Sequence, residues 1–202
     1  MRAAPVLLAL AVAAAACERN PPGETATNPT VDSAIATITG DPVTDTIAQP
    51  GDTAYFRVAR MVDRSGRELG TLRLVDHPGS IGVTGRLTGL PAGTLAIHVH
   101  ETGACDPPGF ASAGGHWNPQ NRQHGLENPQ GPHLGDMPNI TVDANGIAEV
   151  NVNTPAGNLR GDGGAMDADG AAVVIHAGPD DHRTDPSGDS GDRIACGVIT
   201  AG

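Results

Sequence analysis

The sequence predicts an all-β fold: an eight-stranded antiparallel Greek-key sandwich or flattened barrel with long loops. Three observations carry that reading. Aromatic residues are only 2% of the chain, so the core has to be built from Val, Ile, Leu and Ala. The 28 glycines punctuate the chain too often for long regular elements. Apolar residues recur with a period of two over short runs, as in half-buried strands.

A chain of 202 residues holds one domain of ordinary size plus extensions. Residues 1–17, MRAAPVLLALAVAAAAC, combine a positive residue, an apolar run and small residues, the make-up of an export signal. The run is a few residues short of a comfortable membrane span. Its end resembles a lipobox with Ala14 where Leu is usual, which predicts cleavage before Cys17 and lipidation of that cysteine; ordinary cleavage nearby is the alternative. Residues 18–50 carry scattered Pro, Thr and Asp and too little apolar surface to offset the entropy of ordering. They read as a flexible tether that, as a coil, reaches roughly 30 Å root-mean-square. Within it, SAIATI is alternatively an added edge strand.

The folded domain is expected over residues 51–202. TAYFRVARMVD, ELGTLRLVD and IGVTGRLTGL are strand-like runs separated by the turn compositions RSGR and HPGS. LPAG then turns the chain into a fourth strand, TLAIHVHE. After a long loop, NITVDANGIAEVNVN shows two short alternating runs about DANG, a hairpin pattern. MDADGAAVVIH and RIACGVIT supply the last two strands.

The chemistry is concentrated between His98 and Asp136, which hold five of the eight histidines in a stretch too rich in Gly, Pro and Asn for helix or continuous strand. In TLAIHVHE, Leu95, Ile97 and Val99 alternate with His98 and His100, so the two imidazoles share one strand face and can grip one ion. An isolated pair of this kind is also what two exposed histidines look like. His116, His124, His133 and Asp136 follow on the loop, and three imidazoles with one carboxylate form a closed set of the kind zinc prefers. His176 adds an imidazole on the polar face of a late strand.

The formal net charge is -11, and all twelve basic residues are Arg. No basic stripe exists to neutralise phosphates, which argues against nucleic acid and anionic membrane surfaces as partners. Three cysteines leave an odd one to be accounted for: Cys17 ends the export signal, Cys105 lies in the long loop and Cys196 in the last strand.

Taken together, HVHETGAC, GGHWNP, the eight- and nine-residue steps from His116 to His124 to His133, HLGD, VVIHAGPDD and RIACGVI resemble the copper, zinc superoxide dismutase family, from about residue 51 to the C-terminus. The resemblance implies that copper is held by His98, His100, His116 and His176, and zinc by His116, His124, His133 and Asp136. His116 then bridges the two ions. Asp180 matches the carboxylate that links a copper histidine to a zinc histidine, and Arg193 the arginine beside the copper that attracts and orients the anion. Cys105 and Cys196 match the family's intrasubunit disulfide, which implies an oxidising compartment, here the periplasm or cell envelope.

By the same resemblance the protein is an enzyme that converts two superoxide anions and two protons to oxygen and hydrogen peroxide by copper redox cycling. The alternative is a copper- and zinc-binding module of the same fold without turnover. A homodimer is one of the assemblies the resemblance allows. The loop from Pro179 to Asp192 has no Lys, unlike familiar animal members, so anion guidance has to depend chiefly on Arg193, with Arg122 a weaker candidate. His77 and His182 find no place in the ligand set and are expected to be exposed. Trp117 is expected to pack the metal loop.

Overall fold

The computed structural model describes residues 55–202. The segments read as export signal and tether, with Cys17, lie outside the described residues.

Nine strands appear in the described residues: β1 (Phe56–Asp63), β2 (Glu68–His77), β3 (Ser80–Thr88), β4 (Gly93–Leu95), β5 (Ile97–His100), β6 (Ile140–Val142), β7 (Ile147–Asn153), β8 (Ala172–His176) and β9 (Arg193–Ala201). Seven of them form one antiparallel sheet in the order β5-β8-β9-β1-β2-β3-β7, and β4 pairs with β6 in a separate ribbon. One strand was expected over TLAIHVHE, and it is divided at Ala96. There the backbone N–H donates to the Gly178 carbonyl and the carbonyl accepts from the His176 N–H, so the chain changes partners at a fully buried alanine. A strand that switches sheets in this way makes a corner.

That corner explains the closure. β4 runs on into β5, one edge of the large sheet, while β6 turns through Asp143–Gly146 into β7, the opposite edge. The β4–β6 ribbon therefore joins the two edges, and the sheet curls into a flattened antiparallel barrel. The β6–β7 turn is held by the Asp143 carboxylate, which accepts from the Asn145 and Ile147 N–H groups, each at 2.9 Å. The β1–β2 turn repeats the device, with Asp63 accepting from the Ser65 and Arg67 N–H groups at 2.9 and 3.0 Å.

Alternation sorts the side chains. Met61, Leu72, Leu74, Val83, Leu87, Ile97, Val99, Val150, Val173, Ile175 and Ile199 point inward and form the core. The opposite face of β5, β8 and β9 is also covered: Phe110, Ala113, Ala172, Val174 and Cys196 make a second, smaller apolar cluster beneath the long loop. Cys105 and Cys196 are joined by a disulfide, with Cα atoms 5.7 Å apart, which ties that loop to β9. The loop itself contains one turn of 3-10 helix, Ala111–Ala113. Trp117 is buried in the main core, and Gly157, at φ +96°, is the residue whose missing side chain makes room for its ring.

Candidate metal centre

His98 and His100 project from β5 away from the core, and the registers His98 with Val174 and His100 with Ala172 place His176 at the end of the adjacent strand on the same face. The sequence reading assigned these positions to a polar strand face, but the face is not open to water: His98 and His100 are fully buried. The long loop covers them by using the free edge of β5. The Val99 N–H donates to the Gly135 carbonyl at 2.9 Å and the Val99 carbonyl accepts from the Trp117 N–H at 2.8 Å. This lays His116 beside His100 and Asp136 beside His98.

Two four-residue groups result. Ligand atoms of His98, His100, His116 and His176 lie within 4.8 Å of one another, as do those of His116, His124, His133 and Asp136, and all these residues are buried. In the first group, His98 Nδ1 and the Nε2 atoms of His100, His116 and His176 are buried without a hydrogen-bond partner. Four orphaned nitrogens facing one another are costly unless something electrophilic lies between them. In the second, Oδ1 of Asp136 is 2.9 Å from Nδ1 of His116, 2.9 Å from Nδ1 of His124 and 3.3 Å from Nδ1 of His133. Its other oxygen accepts from the Gly125 and His133 N–H groups, each at 2.9 Å, which fixes the carboxylate. An all-imidazole set suits copper and a three-imidazole, one-carboxylate set suits zinc, so the residues fit that pair of ions.

Four of the remaining ring nitrogens have an acceptor that fixes tautomer and orientation. His100 Nδ1 donates to the Gly114 carbonyl and His176 Nδ1 to the Gly191 carbonyl, each at 3.1 Å. Asp180, fully buried in its side chain, takes His98 Nε2 at 2.8 Å on one oxygen and His124 Nε2 at 2.9 Å on the other. One carboxylate thus joins a residue of the first group to one of the second.

The electrostatics follow from burial and these partners. Burial, then the neighbouring His116, lowers His98 to about 3 despite the Asp180 contact. Burial likewise lowers His176 to about 4 and pushes His100 well below its ordinary value. These imidazoles are neutral lone-pair donors at neutral pH, as ligation requires. For His124, burial acts downward but the bonds to Asp136 and Asp180 outweigh it and raise the group to about 9. Burial opposes ionisation of Asp136 and Asp180, yet their histidine partners hold both well below the carboxylate range.

A cleft of about 490 Å³ leads to this centre, with His116, His176, Arg193, Arg122, Glu101 and Asp185 in its walls. The Arg193 guanidinium, on β9, donates to the Phe110 carbonyl at 2.7 Å and the Gly114 carbonyl at 2.6 Å. It is therefore held by neutral acceptors and keeps its charge free for the cleft.

Of the histidines set aside in the sequence, His77 is exposed. His182 is not: its side chain is 20% exposed and its Nδ1 lies 3.6 Å from Asp180. The late loop folds back over the metal loop there, its His182 carbonyl accepting from the Glu127 N–H at 3.0 Å, while the His182 N–H bonds Asp180 Oδ1 at 2.7 Å. Asp181 is exposed and caps the turn at Arg183 and Thr184.

Two polar residues that sequence reasoning missed complete the frame. The Asn139 side chain grips Asp180 through both backbone groups, accepting from its N–H at 2.8 Å and donating to its carbonyl at 2.9 Å. Glu101 accepts from the Gly115 N–H at 2.9 Å, beside the Gly114 carbonyl shared by Arg193 and His100. Glu101 directly follows His100 in sequence, which is a faint signal; Asn139 carries none.

A family model described as copper/zinc superoxide dismutase (SODC) matches residues 69–199. Superoxide dismutase [Cu-Zn] 2 of Aquifex aeolicus (strain VF5) is 44% identical over 144 residues, covering 70% of this chain and 84% of that protein. Among solved structures, a SOD-like protein from Bacillus subtilis aligns with a TM-score of 0.66 at 39% identity, covering 70% of this chain and 96% of that one. The Cu/Zn superoxide dismutase from Brucella abortus aligns with a TM-score of 0.59 at 29% identity, covering 72% and 99% respectively.

Proposed function

The chain belongs to the copper/zinc superoxide dismutase family, and on that premise we propose a specific division of labour among its buried residues. The protein is an oxidoreductase that converts two superoxide anions and two protons to oxygen and hydrogen peroxide, with copper and zinc as cofactors. The observation that carries the assignment of roles is the set of four buried, unpartnered nitrogens on His98, His100, His116 and His176. These would hold copper, and Nδ1 of His116, His124 and His133 with Oδ1 of Asp136 would hold zinc. Copper supplies one-electron redox chemistry there and zinc a fixed positive charge.

Everything else is done by the chain. His116 belongs to both groups, and two cations acting together would let it give up both ring protons. Its Nε2, one of the four unpartnered nitrogens, would take up a proton and hand it to the reduced product, while its Nδ1 stays beside Asp136. Asp180 fixes His98 and His124 in one orientation, so the two halves keep register through the cycle. Arg193 draws the anion down the cleft and orients it.

The turnover-free alternative is not favoured, because no position of the four-imidazole set is substituted. Metal analysis with a superoxide-decay assay on the purified protein is the test: copper-dependent consumption of superoxide supports the roles, and metal binding without consumption removes them.

We also propose export to the periplasm or cell envelope, with anchoring through a lipid on Cys17. The Cys105–Cys196 disulfide supports an oxidising compartment, and the apolar run before Cys17 supports export and processing there.

A further inference from the structure

We propose that Arg64, which lies outside the cleft, is a positioning residue for the reaction: it fixes the β-bulge from which Arg193 is aimed into the cleft. The proposal rests on the dismutase reading, because Arg64 acts only through Arg193.

Arg193 opens β9 at an irregular point. Ile175 stands opposite Ala195 and His176 opposite Arg193, so Ile194 is an extra residue in the β8–β9 ladder. A bulge of this kind re-aims a side chain and leaves the local ladder incomplete. Ile194 packs against the main core, and Arg193 turns to the cleft instead. The neighbouring strand gives no support there, since β1 stops at Asp63, opposite Ala195 and short of Arg193.

Arg64 takes the place of that strand. As the first residue after β1, it donates from Nε to the Arg193 carbonyl at 2.7 Å, across a separation of 129 residues, and its other arm meets the Asp192 carboxylate at 3.1 Å. One planar fork thus holds two successive residues. The ion pair is exposed on both sides and by itself is worth little. The carbonyl bond is short and charge-assisted, the stronger kind, and it acts on the main chain that carries the cleft arginine. The turn that presents Arg64 is itself rigid: Asp63 accepts from the Ser65 hydroxyl at 2.6 Å and from Arg67 Nε at 2.9 Å, and the Arg67 guanidinium donates to the Gly89 carbonyl at 3.1 Å. Arg193 is therefore held at both ends, its guanidinium by the Phe110 and Gly114 carbonyls and its main chain by Arg64.

The test uses the full chain loaded with copper and zinc, as wild type, Arg64→Ala, Arg64→Lys, Arg193→Gln and the double variant Arg64→Ala with Arg193→Gln. A misplacement of about 1 Å can cost about 100-fold, and a loosened bulge should cost part of that, so Arg64→Ala should slow superoxide decay on the order of tenfold. Arg64→Lys keeps the charge without the planar fork and should lose nearly as much. The loss should persist near about 0.5 M salt, where screening removes an effect of charge alone. In the Arg193→Gln background, Arg64→Ala should change nothing further, because the two residues act as one unit. NMR of the copper(I), zinc form with isotope-labelled arginine gives an independent reading. The Arg193 guanidinium signals should be separate and slow to exchange in wild type, and should broaden and exchange faster in both Arg64 variants, with metal content unchanged. Wild-type rates in Arg64→Ala, full rescue by lysine, a loss that salt removes, or a further loss in the Arg193→Gln background would each overturn the proposal. A loaded wild type that consumes no superoxide would instead sink the dismutase reading; the Arg193 signals would still decide the hold of Arg64, and signals identical in wild type and both variants would overturn it.

Discussion

His98 Nε2 lies 2.8 Å from Oδ2 of Asp180, in a contact from which water is wholly excluded. The same carboxylate receives His124 at 2.9 Å, so a change at either histidine is felt by the other through one rigid group. Asp180→Asn keeps the volume but replaces one accepting oxygen with a donor. Such a change beside ligating imidazoles typically costs 10- to 100-fold in affinity or activity. We expect metal affinity to fall by about that factor, measured by competition with a chelator, with the fold and the Cys105–Cys196 disulfide retained.

Arg193 makes a different prediction because its partners are neutral carbonyls. Arg193→Asp reverses a charge close to His100 and His176, where screening by salt is least effective. The second-order rate should fall sharply at low ionic strength, both metals should stay bound, and part of the loss should be recovered as salt is added. Stopped-flow superoxide decay across ionic strength measures it, and equal rates at low salt would remove Arg193 from the mechanism.

The buried imidazoles also set a pH dependence for the metal-free protein. Folded His176 titrates at about 4 and His98 at about 3, against about 6.5 in the unfolded chain. Between these limits the unfolded state binds protons that the folded state refuses. Stability is therefore fully present above about pH 6.5 and lost as pH falls towards 4, by about 1.4 kcal/mol per unit for each such proton. His124 works in the opposite direction: raised to about 9, its contribution is complete below 6.5 and is lost as pH rises through 9. Thermal melts of the metal-free protein should peak near neutral pH and fall on both sides; a melting temperature flat from pH 7 to 4 would contradict the burial argument.

Much of this was legible in the sequence, for identifiable reasons. A period of two put His98 and His100 on one face, and the loop spacing offered His116, His124, His133 and Asp136 as one set. Strand runs were visible because alternation is a local property. The break at Ala96 was not, because it depends on which partner each half of the run finds, Ile140–Val142 for β4 and Ala172–His176 for β5. Asn139 and His182 were passed over or misread for the same reason: Asn139 meets Asp180 41 residues away and His182 43 residues away, between segments whose approach no local pattern encodes.

The proposed lipid anchor makes a prediction outside the described residues. Cys17→Ser should release or misprocess the protein while leaving the specific activity of the folded domain unchanged. Mass spectrometry of the mature N-terminus and membrane partitioning are the measurements, and an unmodified N-terminus in the wild type would favour a freely soluble protein.

The most direct test is superoxide consumption against copper content in wild type and His98→Ala. Wild type should bind one copper and one zinc per chain and turn over in proportion to its copper. His98→Ala should keep zinc and lose turnover. Full activity in protein stripped of copper, or in His98→Ala, would contradict the account.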